Sequence, residues 1–207
     1  MSNDIIIRLE KKADYRAVEN LTRDSFWNVY RPGCLEHYVL HCFRDNVDFI
    51  PELDFVMEKD GKLIGHVMYA KAKLLADDGR VIPLMTFGPI SIAPEFKRQG
   101  YGTKLLSFSM EKAKALGCGG LLTEGNIGFY GTLGFKVAST IGINYYVERR
   151  DAVVPYFIYK ELKEGFFNGV TGVYTDPDGY NVDLKKAEVF DSLFPYKEKL
   201  KLPGQLE

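Results

Sequence analysis

Three cysteines, Cys34, Cys42 and Cys118, are all the chain has. The number is odd and no two stand in CxxC spacing, which argues against a disulfide framework and against a zinc site and makes a reducing cytoplasm the expected setting. An excess of charge of one sign is also missing, since 27 Lys plus Arg face 28 Asp plus Glu for a net charge of −1. Without a bulk field, neither nucleic acid nor an anionic membrane is an expected partner, and any anion site has to be local. No apolar run approaches the roughly 20 residues of a membrane span. The polar start passes directly into the strand-like Ile5-Ile6-Ile7, which leaves no room for a signal peptide.

What is present suits a packed enzyme-sized domain: 207 residues, 46% hydrophobic and 14% aromatic. After the first strand, Asp14 opens a segment with Ala17, Val18, Leu21, Ser25 and Phe26 on one side, the three-to-four spacing of a helix with one buried stripe. Pro32 and Gly33 break the chain. A second helix from about Cys34 to Arg44 follows, with Leu35, Tyr38, Val39 and Cys42 on one face and His37 and His41 on another. Phe55 to Glu58 and Leu63 to Leu74 flank Asp60-Gly61, a tight-hairpin signal. Asp77-Asp78-Gly79 repeats the device before Val81 to Ile92, so three antiparallel strands form a meander. Gly88 and Pro89 interrupt the last strand, because proline donates nothing to a ladder and glycine tolerates a bulge.

Thr103 to Leu116 reads as a helix with Leu106, Met110 and Ala113 facing inward, stopped by Gly117. A short buried strand, Leu121 to Glu124, follows, and a strand-helix-strand unit of this kind makes a right-handed parallel crossover. The expected class is therefore α/β with a mixed sheet, antiparallel at first and parallel in the centre. Later strand candidates are Phe135 to Val137, Tyr145 to Val147 and Tyr156 to Leu162. The expected organisation is one domain over residues 1–207, with a core of about 4–163 and an extension of about 164–207. The extension carries an Asp176-Pro177-Asp178-Gly179 turn and many aromatics (among them Phe166, Phe167, Phe190, Phe194 and Tyr196), expected to cover an edge strand or to build a homodimer contact.

The chemistry concentrates in two stretches. In the first, a strand runs into Lys97-Arg98-Gln99-Gly100-Tyr101-Gly102-Thr103, a basic, glycine-punctuated turn that opens a helix. Amides at a helix N-terminus converge on phosphate oxygens, and glycine lets the backbone come close. The turn lacks the Lys-Ser/Thr of a Walker loop and is not a GxGxxG with a later acidic residue. In the second, Glu124-Gly125-Asn126 leads to Phe129-Tyr130 and closes at Gly134-Phe135.

The first stretch resembles the phosphate loop of the Gcn5-related N-acetyltransferase (GNAT) superfamily, Arg/Gln-x-x-Gly-x-Gly/Ala, with Lys97 in place of the usual first residue. A tyrosine four residues before Gly-Phe, here Tyr130, adds to the resemblance, and Glu36 to His41 with the Phe-Pro-Tyr near the C-terminus looks like a YhbS-like bacterial subgroup. The resemblance implies a fold in which acetyl-CoA lies between two splayed central strands. Ile90, Ser91 and Ile92 would hold the pantetheine through their backbone, residues 97–103 the pyrophosphate, and Asn126 and Phe129 the arm. It also implies direct transfer of the acetyl group to a primary amine in a ternary complex, with acetyl-CoA as co-substrate and no metal. The alternative of the same fold is a non-catalytic acyl-CoA sensor.

Direct transfer needs a proton donor for the leaving thiolate and a base for the incoming ammonium. Tyr130 is assigned the first role and Glu124, at the end of a central strand, the second. His66, Glu58 and Asp54 are weaker bases from the meander, and Glu95 is assigned only a positioning role for the loop. His37 and His41 are four apart, but no further ligand set accompanies them, so a polar wall of the acceptor site or plain solvation is expected rather than a metal.

Overall fold

A computed structural model describes residues 4–206; the polar start at residues 1–3 and the last residue lie outside the described residues. In chain order the elements are β1 (Ile5–Leu9), α1 (Tyr15–Phe26), α2 (Glu36–Phe43), β2 (Phe55–Lys59), β3 (Lys62–Ala76), β4 (Val81–Ile92), α3 (Tyr101–Ala115), β5 (Gly120–Glu124), α4 (Ile127–Tyr130), β6 (Lys136–Val137), β7 (Ile143–Tyr145), β8 (Phe157–Glu161), β9 (Gly172–Tyr174) and α5 (Leu184–Asp191). The chain divides into two compact units that alternate along the sequence. One comprises Met1–Met68, Pro89–Leu106 and Asp178–Glu207, the other Tyr69–Gly88 and Ser107–Pro177. An interruption is expected at Gly88-Pro89, but β4 runs unbroken over Val81–Ile92 and passes there from the second unit to the first, with Gly88 at φ 137°.

In the first unit the hydrogen-bonded order is β1-β2-β3-β4. β1 and β2 are antiparallel with Ile7 opposite Met57, and β2 and β3 are antiparallel with Val56 opposite His66. The strands of this ladder bury Val56, Met57, Ile64, Val67 and Met68, and α1 contributes Val18 and Leu21 to the buried set. Burying one such side chain is worth about 1.5–3 kcal/mol, which is why the apolar stripe of α1 decides its docking. Arg8 ties β1 to the start of α1, with its guanidinium 2.6 Å from Asp14, while Asp14 accepts the Lys11 amide at 2.8 Å.

The second unit has the order β4-β5-β8-β6, with β9 pairing both β3 and β7. β4 and β5 are parallel at Met85 and Leu121, as the crossover through α3 requires, and β7 and β9 are a second parallel pair. β5 and β8 run antiparallel, with Leu122 opposite Tyr159 and Glu124 opposite Phe157. Leu74, Leu84, Leu122, Ile143, Tyr145, Phe157, Tyr159 and Tyr174 lie in the core of this unit. The chain thus forms a mixed, mostly antiparallel sheet flanked by helices.

The stretch after residue 164 is more structured than its turn signals indicate. β9 adds to the sheet, and α5 is capped by Asp183, which accepts from the amides of Lys185 at 2.8 Å and Lys186 at 3.1 Å.

Candidate active site

The residues expected to hold the cofactor divide between the units, with 90–92 and 97–103 in the first and Asn126, Phe129 and Tyr130 in the second, where the expected base Glu124 also lies. In the first unit the end of β4 is stitched to α1. The Ser25 hydroxyl lies 2.9 Å from the Ile92 carbonyl, and the Ser91 hydroxyl donates to Thr22 Oγ1 at 3.0 Å. The Lys97 ammonium donates to the Ser25 carbonyl at 2.7 Å, and burial lowers its pKa. That side chain therefore anchors the loop from below, and the positive charge on the turn itself is left to Arg98.

Arg98 has φ 61° and Gly100 φ 83°. A left-handed arginine is uncommon, and strain of this kind gathers at ligand sites. Among the described residues, its chain neighbours apart, nothing lies within 4 Å of the point a Gly100 Cβ would occupy. The loop thus presents open space above Gly100 together with the first-turn amides of α3, whose N–H groups have no intrahelical partner. Gln99 Nε2 donates to the Glu95 carbonyl at 2.9 Å, Glu95 pairs with Lys62 at 2.7 Å, and Lys59 donates to the Tyr101 hydroxyl at 2.8 Å. The Glu95 side chain thus makes an exposed ion pair with Lys62, while its backbone carbonyl is what accepts from Gln99.

In the second unit β5 delivers Glu124 at its exposed end. The amide of Gly125 donates to the Tyr156 carbonyl at 2.7 Å, and Asn126 Oδ1 caps α4 by accepting from Gly128 at 2.8 Å. A Cβ on Gly125 would stand 2.3 Å from the Tyr130 ring, so only glycine leaves that ring its place. Tyr130 is buried among Phe87, Phe129 and Phe135, with ring centroids 5.8, 4.9 and 5.4 Å away. Phe129 is 38% exposed.

Glu124 as a residue is exposed, yet burial of its carboxyl raises its pKa. Tyr145 is buried, stacks on Phe157 at 4.9 Å and donates its hydroxyl to Asp176. Sequence spacing holds no trace of this grouping. The parallel pairing of β7 and β9 brings Tyr145 and Asp176 together, and while a strand near Tyr145 is signalled locally, its partner is not.

The weaker base candidates are engaged in the first unit. Glu58 accepts from Arg8 at 3.0 Å, and buried His66 lies 2.7 Å from Asp54. Glu10, Asp54 and His66 bring ligand-type atoms within 4.8 Å of one another. Arg44, however, bonds Glu10 at 2.7 Å and Glu19 at 2.8 Å, so its guanidinium already supplies the cation there. The expectation for His37 is corrected. Its side chain is fully buried, 3.1 Å from Asp191 and between the rings of Phe190 and Phe194, because α5 covers it. His41 is half exposed and lies 2.9 Å from Glu19.

Residues 18–135 match the family described as acetyltransferase (GNAT) family. The chain belongs to the GNAT family. A curated relative, the uncharacterized N-acetyltransferase YjhQ of Escherichia coli K12, is 26% identical over 87 residues, 42% of this chain and 47% of that protein. The match therefore spans about half of the relative's length. Among solved structures, the GNAT protein YhbS of Escherichia coli in complex with CoA has a TM-score of 0.74 at 21% identity, covering 88% of this chain and 94% of YhbS. A GNAT acetyltransferase of Brucella melitensis in complex with acetyl-CoA has a TM-score of 0.67 at 20% identity, covering 86% and 99%. At these identities the likeness is one of fold, and it makes this a GNAT fold. Among the described residues no helix is long and apolar enough to cross a membrane.

Proposed function

We propose that this GNAT protein is an acetyl-CoA-dependent N-acetyltransferase that acts on a primary amine. The observation that carries the reading is the loop at residues 97–103, with left-handed Arg98 and Gly100 opening α3 beneath free space. A pyrophosphate suits that donor set, because backbone amides and one arginine supply its counter-charge without a metal. The CoA and acetyl-CoA complexes of YhbS and the Brucella protein support the same ligand class. The backbone of Ile90, Ser91 and Ile92 would hold the pantetheine, with Asn126 and Phe129 beside it.

Bound acetyl-CoA supplies an activated acetyl thioester. This chain's part is to orient it, to take a proton from the acceptor ammonium at the Glu124 carboxylate, and to give a proton at the Tyr130 hydroxyl. A carboxyl with a raised pKa is the better base for an ammonium near neutral pH.

Isothermal titration calorimetry tests the reading with acetyl-CoA, desulfo-CoA and ATP. Micromolar binding of the first two and none of ATP is expected. Absence of acetyl-CoA binding would sink the proposal.

A further inference from the structure

Resting on the reading of residues 97–103 as the pyrophosphate loop, we infer that residues 195–206 are a strap that steadies this loop through the C-terminal end of α1 and so sets the affinity for the cofactor. All the groups involved lie in the first unit. Residues 195–206 form neither helix nor strand, so their backbone polar groups need partners elsewhere. They find them on the turn that leaves α1. The Glu198 carbonyl accepts from Trp27 Nε1 at 2.9 Å and from Asn28 Nδ2 at 3.0 Å, and the Leu200 amide donates to Asn28 Oδ1 at 3.1 Å. Gln205 Nε2 donates to the Asn28 carbonyl at 2.9 Å, and the Leu206 amide to the Tyr30 carbonyl at 2.7 Å.

Asn28 is the hub of this attachment. It stands in the left-handed region at φ 59°, directly after the Trp27 cap, where a helix commonly ends on such a residue. Its amide donates to the Gly33 carbonyl at 2.9 Å, and its Oδ1 also accepts from the Gly33 amide at 2.8 Å. Tyr196, Leu200, Leu202 and Leu206 stay exposed, so hydrogen bonds rather than core burial fasten the strap.

The same end of α1 carries the cofactor loop. The last carbonyls of a helix have no intrahelical partner and favour a cation. The Ser25 carbonyl is one of them, and the Lys97 ammonium donates to it at 2.7 Å, while the Ser25 hydroxyl donates to the Ile92 carbonyl at 2.9 Å. Strap and loop thus meet at one helix terminus, the first at Asn28 and the second at Ser25. Released from the strap, the turn at 28–33 no longer fixes the Ser25 carbonyl, and Lys97 loses its anchor. Asn28 is a positioning residue, since its side chain is spent on the strap and the turn.

Asn28→Gly tests this, because it keeps the left-handed backbone and removes the side-chain bonds. Acetyl-CoA affinity by calorimetry should weaken about fivefold, within the equilibrium worth of one hydrogen bond. In the cofactor-free protein, NMR should show faster exchange of the Phe96, Lys97 and Lys104 amides, which donate to the Ala93, Pro94 and Gly100 carbonyls. Gln205→Ala loosens the strap from outside the turn and should move both readouts the same way, by less. Arg8→Met, at the other end of α1, controls for a general loss of stability and should leave both unmoved. In a Lys97→Met background the anchor is already gone, so Asn28→Gly should add little. A lowered melting temperature with unmoved affinity and exchange makes the strap purely structural and overturns the inference. So does an effect of Asn28→Gly that is fully additive with Lys97→Met. Should the wild type bind no acetyl-CoA, the loop reading falls, and the exchange rates still decide whether the strap steadies residues 97–103.

Discussion

Tyr130 and Gly100 concentrate what single residues contribute to the candidate site. Tyr130 is one of 13 tyrosines, and its spacing to Gly134-Phe135 singles it out; its burial among three phenylalanine rings gives it one orientation. Tyr130→Phe keeps that packing. We expect acetyl-CoA affinity by calorimetry to hold within about twofold and kcat on an acceptor found by amine screening to drop at least tenfold, within the usual range for loss of a general acid. An unchanged kcat would move the proton donor elsewhere. Gly100 combines φ 83° with empty space around the Cβ position, so Gly100→Val costs backbone strain of about 1–3 kcal/mol and fills the volume where a phosphate oxygen would approach. Binding of acetyl-CoA should weaken at least tenfold, while melting falls by only a few degrees. Retained affinity would remove the phosphate-loop assignment.

At the scale of elements, α4 is four residues long and lacks a stability of its own. It is held by the Asn126 cap and by Tyr130 lying where a Gly125 side chain would be. Gly125→Ala forces the ring to move; we expect about 1–3 kcal/mol of destabilisation in urea unfolding, the range for overpacking, with the damage confined to the second unit. A stability equal to wild type would show that the ring has room to yield. α5 is the element most easily overlooked, yet it had a signal in Asp183 followed by Leu184, Ala187 and Phe190 at helical spacing. Its docking was not legible, because Asp191 is matched by Arg23 at 2.6 Å and by His37, more than 150 positions earlier in the chain. That match turns His37 from an apparent surface residue into a buried one, and burial pushes its pKa down to about 4.

For the whole molecule the near-zero net charge leaves pH dependence of stability to a few buried groups. Burial pushes Glu10 up to about 7 and Asp54 up to about 6, while burial pushes His66 down to about 4. A raised carboxyl means the native state keeps a proton that the unfolded chain gives up, so this contribution to stability falls as pH rises from the ordinary carboxylate range to about 7. His66 acts oppositely, since its depressed pKa costs stability as pH falls from about 6.5 towards 4. Among the described residues His66 Nδ1 has no hydrogen-bond partner, so a second proton there would be buried without an acceptor. The two slopes oppose each other below about 6.5, and above it Glu10 acts alone. Glu10→Gln keeps a donor for Asp54 and loses the titration. Relative to wild type we expect its unfolding free energy to improve by about 1–3 kcal/mol between pH 5 and pH 8, because each tenfold change in proton affinity on folding is worth about 1.4 kcal/mol. A difference independent of pH would place the titration elsewhere.

Local order was readable before the structure. The meander and the crossover helix rest on signals within about ten residues, where periodicity and turn chemistry act. The resemblance to the GNAT family rests on local motifs as well, and the family match over residues 18–135 agrees with it. Folding alone settled the rest: the Lys97 ammonium turned under the loop to Ser25, His37 was enclosed by α5, and Tyr145 was brought to Asp176. Each depends on pairing between distant segments, and burial, which no local pattern encodes, is what then sets the charge and the proton affinity of those groups.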